Sequence, residues 1–117
     1  MDYKHINPDK ISEMLFDDDE YIVEFCEAGT SSFSEFNENF STHLLNRNLE
    51  ELREAGHKIK PGAQMMGAHK IVEEYTKARE MLEENVPKEK LAQSVDTMDT
   101  LCAAILKELN ILSKDHK

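Results

Sequence analysis

A chain of 117 residues, 39% apolar and 32% charged, is long enough to bury one core and has the composition of a folded domain. Fourteen basic against 24 acidic residues leave a net charge of −10, which sets most of the surface against nucleic acid and acidic membranes. No apolar run approaches a membrane span, and the opening MDYKHINPDK lacks the apolar stretch of a signal peptide. A single cytoplasmic domain over residues 1–117, monomeric and bound to neither membrane nor nucleic acid, is expected.

Asn7-Pro8 reads as an N-cap with proline in the first turn and opens a short helix to about Leu15. The run FDDDE breaks that pattern and supplies a new start near Asp18 or Asp19, where acidic side chains suit the helix dipole. Ile22, Cys26, Gly29, Phe33, Phe36, Phe40 and Leu44 then recur at steps of three or four, to about Asn46. That stripe predicts one helix roughly 40 Å long, with Gly29 and the polar run Thr30, Ser31, Ser32 as the place where it would bend or break.

Asn48 with Glu51 three residues on has the signature of a capping box, and Leu49, Leu52, Ala55/Gly56, Ile59, Ala63 and Met66 continue as a buried stripe. Gly67 ends that helix or opens the next. Ile71, Tyr75, Ala78 and Leu82 form a further stripe that stops near Asn85. Pro87 restarts the chain, and Leu91, Val95, Met98, Cys102, Ile105, Leu109 and Leu112 mark the last helix. No strand-like alternation occurs. Four amphipathic helices with short connections predict an all-α fold, an antiparallel up-down four-helix bundle with an additional short N-terminal helix. Cys26 and Cys102 fall on the apolar faces and read as buried free thiols.

The triplet His-Lys-Ile occurs twice, at His57 and at His69. With Leu52, Ile59, Ala63 and Met66 facing inward, His57 lies about 200° around the helix from Ile59 and points at solvent. Its neighbours on that face are Arg53, Lys60, Pro61 and Gln64, with Lys58 close by, a basic spot on an acidic protein. An imidazole in water near neutral pH keeps a lone pair on one ring nitrogen and is a nucleophile without an activating base. A phosphoryl group there would develop about two negative charges beside Lys60, a stabilisation of about 1–3 kcal/mol at roughly 6 Å. His69 has Val72 at the corresponding position and Glu73 and Glu74 one turn on, so an anion there would be repelled.

His57-Lys58-Ile59-Lys60, a small-residue run and Gly67 ten residues after the histidine resemble the core motif of histidine-containing phosphotransfer (HPt) domains, roughly H-x-[LI]-K-G with a later glycine. The resemblance extends over the chain in its order of helices. It implies that His57 accepts a phosphoryl group from an aspartyl phosphate of one receiver domain and passes it to an aspartate of another. Lys60 would steady the group, and Gly67 would allow tight packing where two helices meet. The receiver's own acidic pocket would carry the Mg²⁺, and this chain would need no cofactor. Where the family has glycine after the lysine, this chain has Pro61, then Gly62; proline removes an amide and should kink the helix. Receiver docking is expected on the exposed side of the histidine helix, near Arg53, Lys58, Pro61 and Gln64, with part of the long helix before it.

Other chemistry finds less support. Glu54-x-x-His57 has the form of a carboxylate-bridged metal pair, but His43, His69 and His116 follow Phe40, Met66 and Ser113 at the matching position, so no second pair exists. No glycine-rich phosphate loop suggests ATP chemistry, so a phosphocarrier is expected and not an enzyme. His5, His43 and His116 read as ordinary surface residues, and Asp17-Asp18-Asp19-Glu20 and Glu83-Glu84 as solvated helix ends. The competing expectation is a helical bundle that binds a signalling partner through the same face without phosphotransfer.

Overall fold

The computed structural model describes residues 2–117, which form five α-helices and no strand. α1 spans Pro8–Met14, α2 Asp19–Leu45, α3 Leu49–Met66, α4 His69–Glu83 and α5 Lys88–Asp115, packed as a helical bundle 46 × 24 × 18 Å. α2 packs along α5 and α3, α4 against α3 and α5, and α1 on α3. No helix of the described residues is long and apolar enough to cross a membrane.

Short polar side chains set the starts of α1, α2 and α3. Asn7 Oδ1 accepts the Lys10 amide at 3.1 Å, Asp18 Oδ1 that of Tyr21 at 3.1 Å, and Asn48 Oδ1 that of Glu51 at 3.2 Å. Each satisfies an amide that the first helical turn leaves without a partner. At the far end of α3, Gly67 takes φ 76°, and the Ala68 amide closes back on the Ala63 carbonyl at 2.8 Å. The same glycine touches α1: a Cβ built there would lie 3.0 Å from Asn7 Cβ.

α2 does not break at Gly29. The glycine is buried, and a Cβ would come 3.1 Å from Leu109 Cδ1 and 3.4 Å from Met66 Cε, so its lack of a side chain serves the close approach of α2 to its neighbours. Thr30 satisfies its hydroxyl locally on the Cys26 carbonyl at 2.9 Å. Glycine's cost of about 1 kcal/mol in a helix is small beside a stripe of seven buried residues, each large apolar one contributing roughly 1.5–3 kcal/mol. Phe33 and Phe40 of α2, Leu52 and Met66 of α3, Ile71 of α4, and Leu91, Met98, Ile105 and Leu109 of α5 are fully enclosed.

Three contacts tie the ends. Arg47, between α2 and α3, donates to Asn85 Oδ1 at 3.3 Å and to the Val86 carbonyl at 2.7 Å, between α4 and α5. His116 Nδ1 lies 2.7 Å from Asp19 Oδ1, joining the end of α5 to the start of α2. The segment before α1 straps onto α5: the buried Glu108 carboxylate accepts the amides of Lys4, His5 and Ile6 at 2.9–3.2 Å, and the Asn7 amide donates to the Met66 carbonyl at 2.7 Å.

Candidate functional site

α3 runs unbroken through Pro61. Leu52, Ala55, Gly56, Ile59, Ala63 and Met66 are buried, while His57 is exposed in the middle of the helix and Lys60 is half-buried one turn on. Proline brings no amide, so the His57 carbonyl lacks the donor that residue 61 would otherwise supply.

His57 opens onto a cleft of about 160 Å³ between α3 and α4. Arg53, Gly56, His57 and Lys60 line it from α3, and Tyr75 and Arg79 from α4. Gly56 makes the cleft possible, because a Cβ at that position would overlap the Tyr75 ring. Tyr75, thereby seated against the α3 backbone, is buried, and the Arg79 guanidinium lies 5.9 Å from its ring centroid, a cation–π placement. Glu83, one turn further along α4, holds both arginines: its Oε1 is 3.2 Å from Arg53 Nη2 and 3.9 Å from Arg79 Nε. Exposed pairs of this kind contribute at most about 1 kcal/mol to the fold, so the guanidinium groups are cheaply redirected.

Two arginines and a lysine therefore line one cleft with an imidazole, and Glu83 pairs with both arginines, on a chain of net charge −10. Guanidinium forks and a lysine ammonium suit a doubly charged tetrahedral oxyanion.

The other positions expected from the sequence distribute around α3. Arg53 and Lys60 share the cleft with His57. Lys58 faces a second groove, of about 120 Å³, which it lines with Ile59 and Ala55 of α3 and with Ser32, Glu35, Phe36 and Asn39 of α2. Pro61 and Gln64 are exposed further along the helix, and the Gln64 carbonyl accepts Lys10 Nζ at 2.7 Å. A Cβ at Gly62 would meet nothing within 4 Å, and Met65 beyond it is 39% exposed. His69 is exposed at the first position of α4.

Tyr75 is buried on its predicted stripe, but it, Arg79 and Glu83 were not expected at the site. Glu83 is more than a solvated helix end, because it bridges two elements of the cleft. Gly56, a glycine on a buried stripe beside the histidine, was the one local sign of a close approach. Two histidines also differ from the ordinary surface residues expected: His116 pairs with Asp19, and His5 is half-buried with Nδ1 enclosed. Cys26 and Cys102 are free and buried; burial pushes their thiols up to about 11 and about 12, which removes them as nucleophiles at neutral pH. No three His, Cys, Asp or Glu side chains among the described residues gather into a metal-binding group. Comparison with protein families, with curated proteins and with solved structures found no match to this chain.

Proposed function

We propose that the cleft is a phosphoryl-acceptor site and that the chain is a histidine phosphotransfer domain, an intermediate in a two-component phosphorelay. The observation that carries this reading is an exposed imidazole halfway along a helix, with Arg53, Lys60 and Arg79 lining the same cleft. Such a setting has little structural use, yet it meets the needs of a group that gains two negative charges.

In the proposed step, the free ring nitrogen of His57 attacks the phosphorus of a receiver's aspartyl phosphate. An N–P bond forms, the P–O bond to the aspartyl oxygen breaks, and the carboxylate leaves with the electron pair. The other ring nitrogen keeps its hydrogen. Transfer onward reverses these bonds on the aspartate of a second receiver. Mg²⁺ in the receiver's pocket would assist both steps, and this chain would carry neither cofactor nor ATP site.

The finer architecture belongs to the same proposal: α2 to α5 as an antiparallel up-down four-helix bundle, with α1 as the additional helix. Short connections support it. So does Arg47, which links the α2–α3 connection to the α4–α5 connection and so brings them to one end. We place the receiver on the exposed side of α3 and the groove that Lys58 shares with α2, where Pro61 and Met65 are exposed and a Cβ at Gly62 would meet nothing. A cytoplasmic monomer suits that role.

Incubation with a phosphorylated receiver domain tests the reading. Acid-labile, alkali-stable label is expected on the chain and absent from His57→Gln. Label that survives the substitution, or never forms, leaves the bundle as a partner-binding module without phosphotransfer. Lys60→Ala should slow transfer with the fold intact; an unchanged rate removes its assigned part.

A further inference from the structure

We infer that Glu83 is a resident counter-ion of the cleft, exchanged for the phosphoryl group when His57 is loaded. This rests on the reading of His57 as phosphoryl acceptor and adds a regulatory element that α4 supplies. One carboxylate oxygen, Glu83 Oε1, faces Arg53 Nη2 at 3.2 Å and Arg79 Nε at 3.9 Å. Both arginines also line the cleft onto which His57 opens. The cleft of about 160 Å³ is open to solvent and has room for a tetrahedral oxyanion beside the imidazole.

Neither arginine can serve two anions with the same donors. Arg53 and Glu83 are both about half exposed, so their pair is lightly held. Arg79 is more constrained, because the Tyr75 ring beneath it and the Gly56 backbone beneath that ring keep its guanidinium at the cleft wall. A dianion arriving at His57 offers each arginine twice the charge that Glu83 does. The arginines turn to it, and Glu83 is released to water. In the empty state Glu83 takes up charge that would otherwise draw stray phosphate; in the loaded state its repulsion of the phosphoryl group favours onward transfer.

The test uses the whole chain and inorganic phosphate as the dianion, followed by NMR at the Arg53 and Arg79 Nε–H groups and the His57 ring. Glu83→Gln should tighten phosphate binding about three- to tenfold, the repulsion between one exposed carboxylate and a mono- or dianion roughly 6 Å away across water. Arg79→Gln should weaken binding and abolish the shared response. Unchanged or weaker binding in Glu83→Gln overturns the exchange, since Glu83 would then be bystander or scaffold. Spectra of each variant report the fold directly, and Glu83 is exposed enough to be replaced without disturbing it.

A second arm treats the chain with phosphoramidate, a small phosphodonor. Loading of His57 should move the same arginine resonances in the direction that phosphate does, and static resonances would overturn the exchange. If His57 takes no label from either phosphoramidate or a phosphorylated receiver, the relay reading fails by itself, while the phosphate titration still decides whether Glu83 competes for the arginines.

Discussion

Replacing Gly56 by alanine tests how the cleft is built. A Cβ at that position would overlap the Tyr75 ring, and Tyr75 is only 3% exposed, so neither side can move freely aside. Overpacking of this kind costs about 1–3 kcal/mol. Against it stands a gain of about 1 kcal/mol, because alanine is the better helix former. The balance predicts net destabilisation of up to about 2 kcal/mol, seen as a lower midpoint in urea denaturation. The sign should reverse in a Tyr75→Leu background, where the colliding end of the ring is gone and only the helix-propensity gain of about 1 kcal/mol remains. Gly56→Ala that stabilises the native chain, or destabilises both backgrounds equally, would refute the packing argument. The expected consequence for the site is weaker phosphate binding in Gly56→Ala alone, because a displaced Tyr75 carries Arg79 away from the cleft.

Gly67→Ala combines a left-handed backbone, costing an L-residue roughly 1–2 kcal/mol, with a Cβ 3.0 Å from Asn7 Cβ. Denaturation should show a loss of at least that size, and an unaltered midpoint would count against both terms. Glu108→Gln presents an amide to three backbone donors and should cost about 1–3 kcal/mol. Faster hydrogen exchange at Lys4, His5 and Ile6 is the accompanying sign; unchanged exchange would mean that the strap is held elsewhere. Burial raises both thiols above their ordinary range, so their contribution to stability is complete below the pKa of an unfolded thiol and is lost as pH rises toward about 11 and about 12. The alkaline fall in stability should therefore be shallower in the Cys26→Ala, Cys102→Ala double variant, and equal slopes would contradict the assignment.

The helix boundaries were legible because their causes are local. Asn7, Asp18 and Asn48 each act on an amide three residues away, and the stripe from Ile22 to Leu44 needs no knowledge of its partner helix. Gly29 was ambiguous for the opposite reason: whether it breaks α2 or admits Leu109 depends on a residue 80 positions on. Glu108 was illegible altogether. It is a carboxylate buried beside Leu109 in α5, and the amides that justify it belong to a strap more than one hundred residues earlier. Phe16, 88% exposed with φ 58°, has no account in either the sequence or the packing.

The same division runs through the site. His57 and Lys60 share a helix face, so spacing alone places them together. Tyr75, Arg79 and Glu83 reach the histidine only through the register of α4 on α3, which depends on how Tyr75 fits against Gly56. A group that must be taken up and given away cannot be held too well. Each cation near a dianion in a surface dielectric favours the loaded state by about 1 kcal/mol or more, and three of them would slow onward transfer by a factor of roughly a hundred or more. A carboxylate that competes for two of the three brings the loaded and empty states closer in energy. On that reasoning Lys60, which Glu83 does not hold, steadies the phosphoryl group, and the arginine pair sets how readily it leaves. Removing Glu83 should therefore slow transfer from His57 to a receiver more than transfer onto it. Equal slowing in both directions would mean that Glu83 acts on docking and not on the bound phosphoryl group.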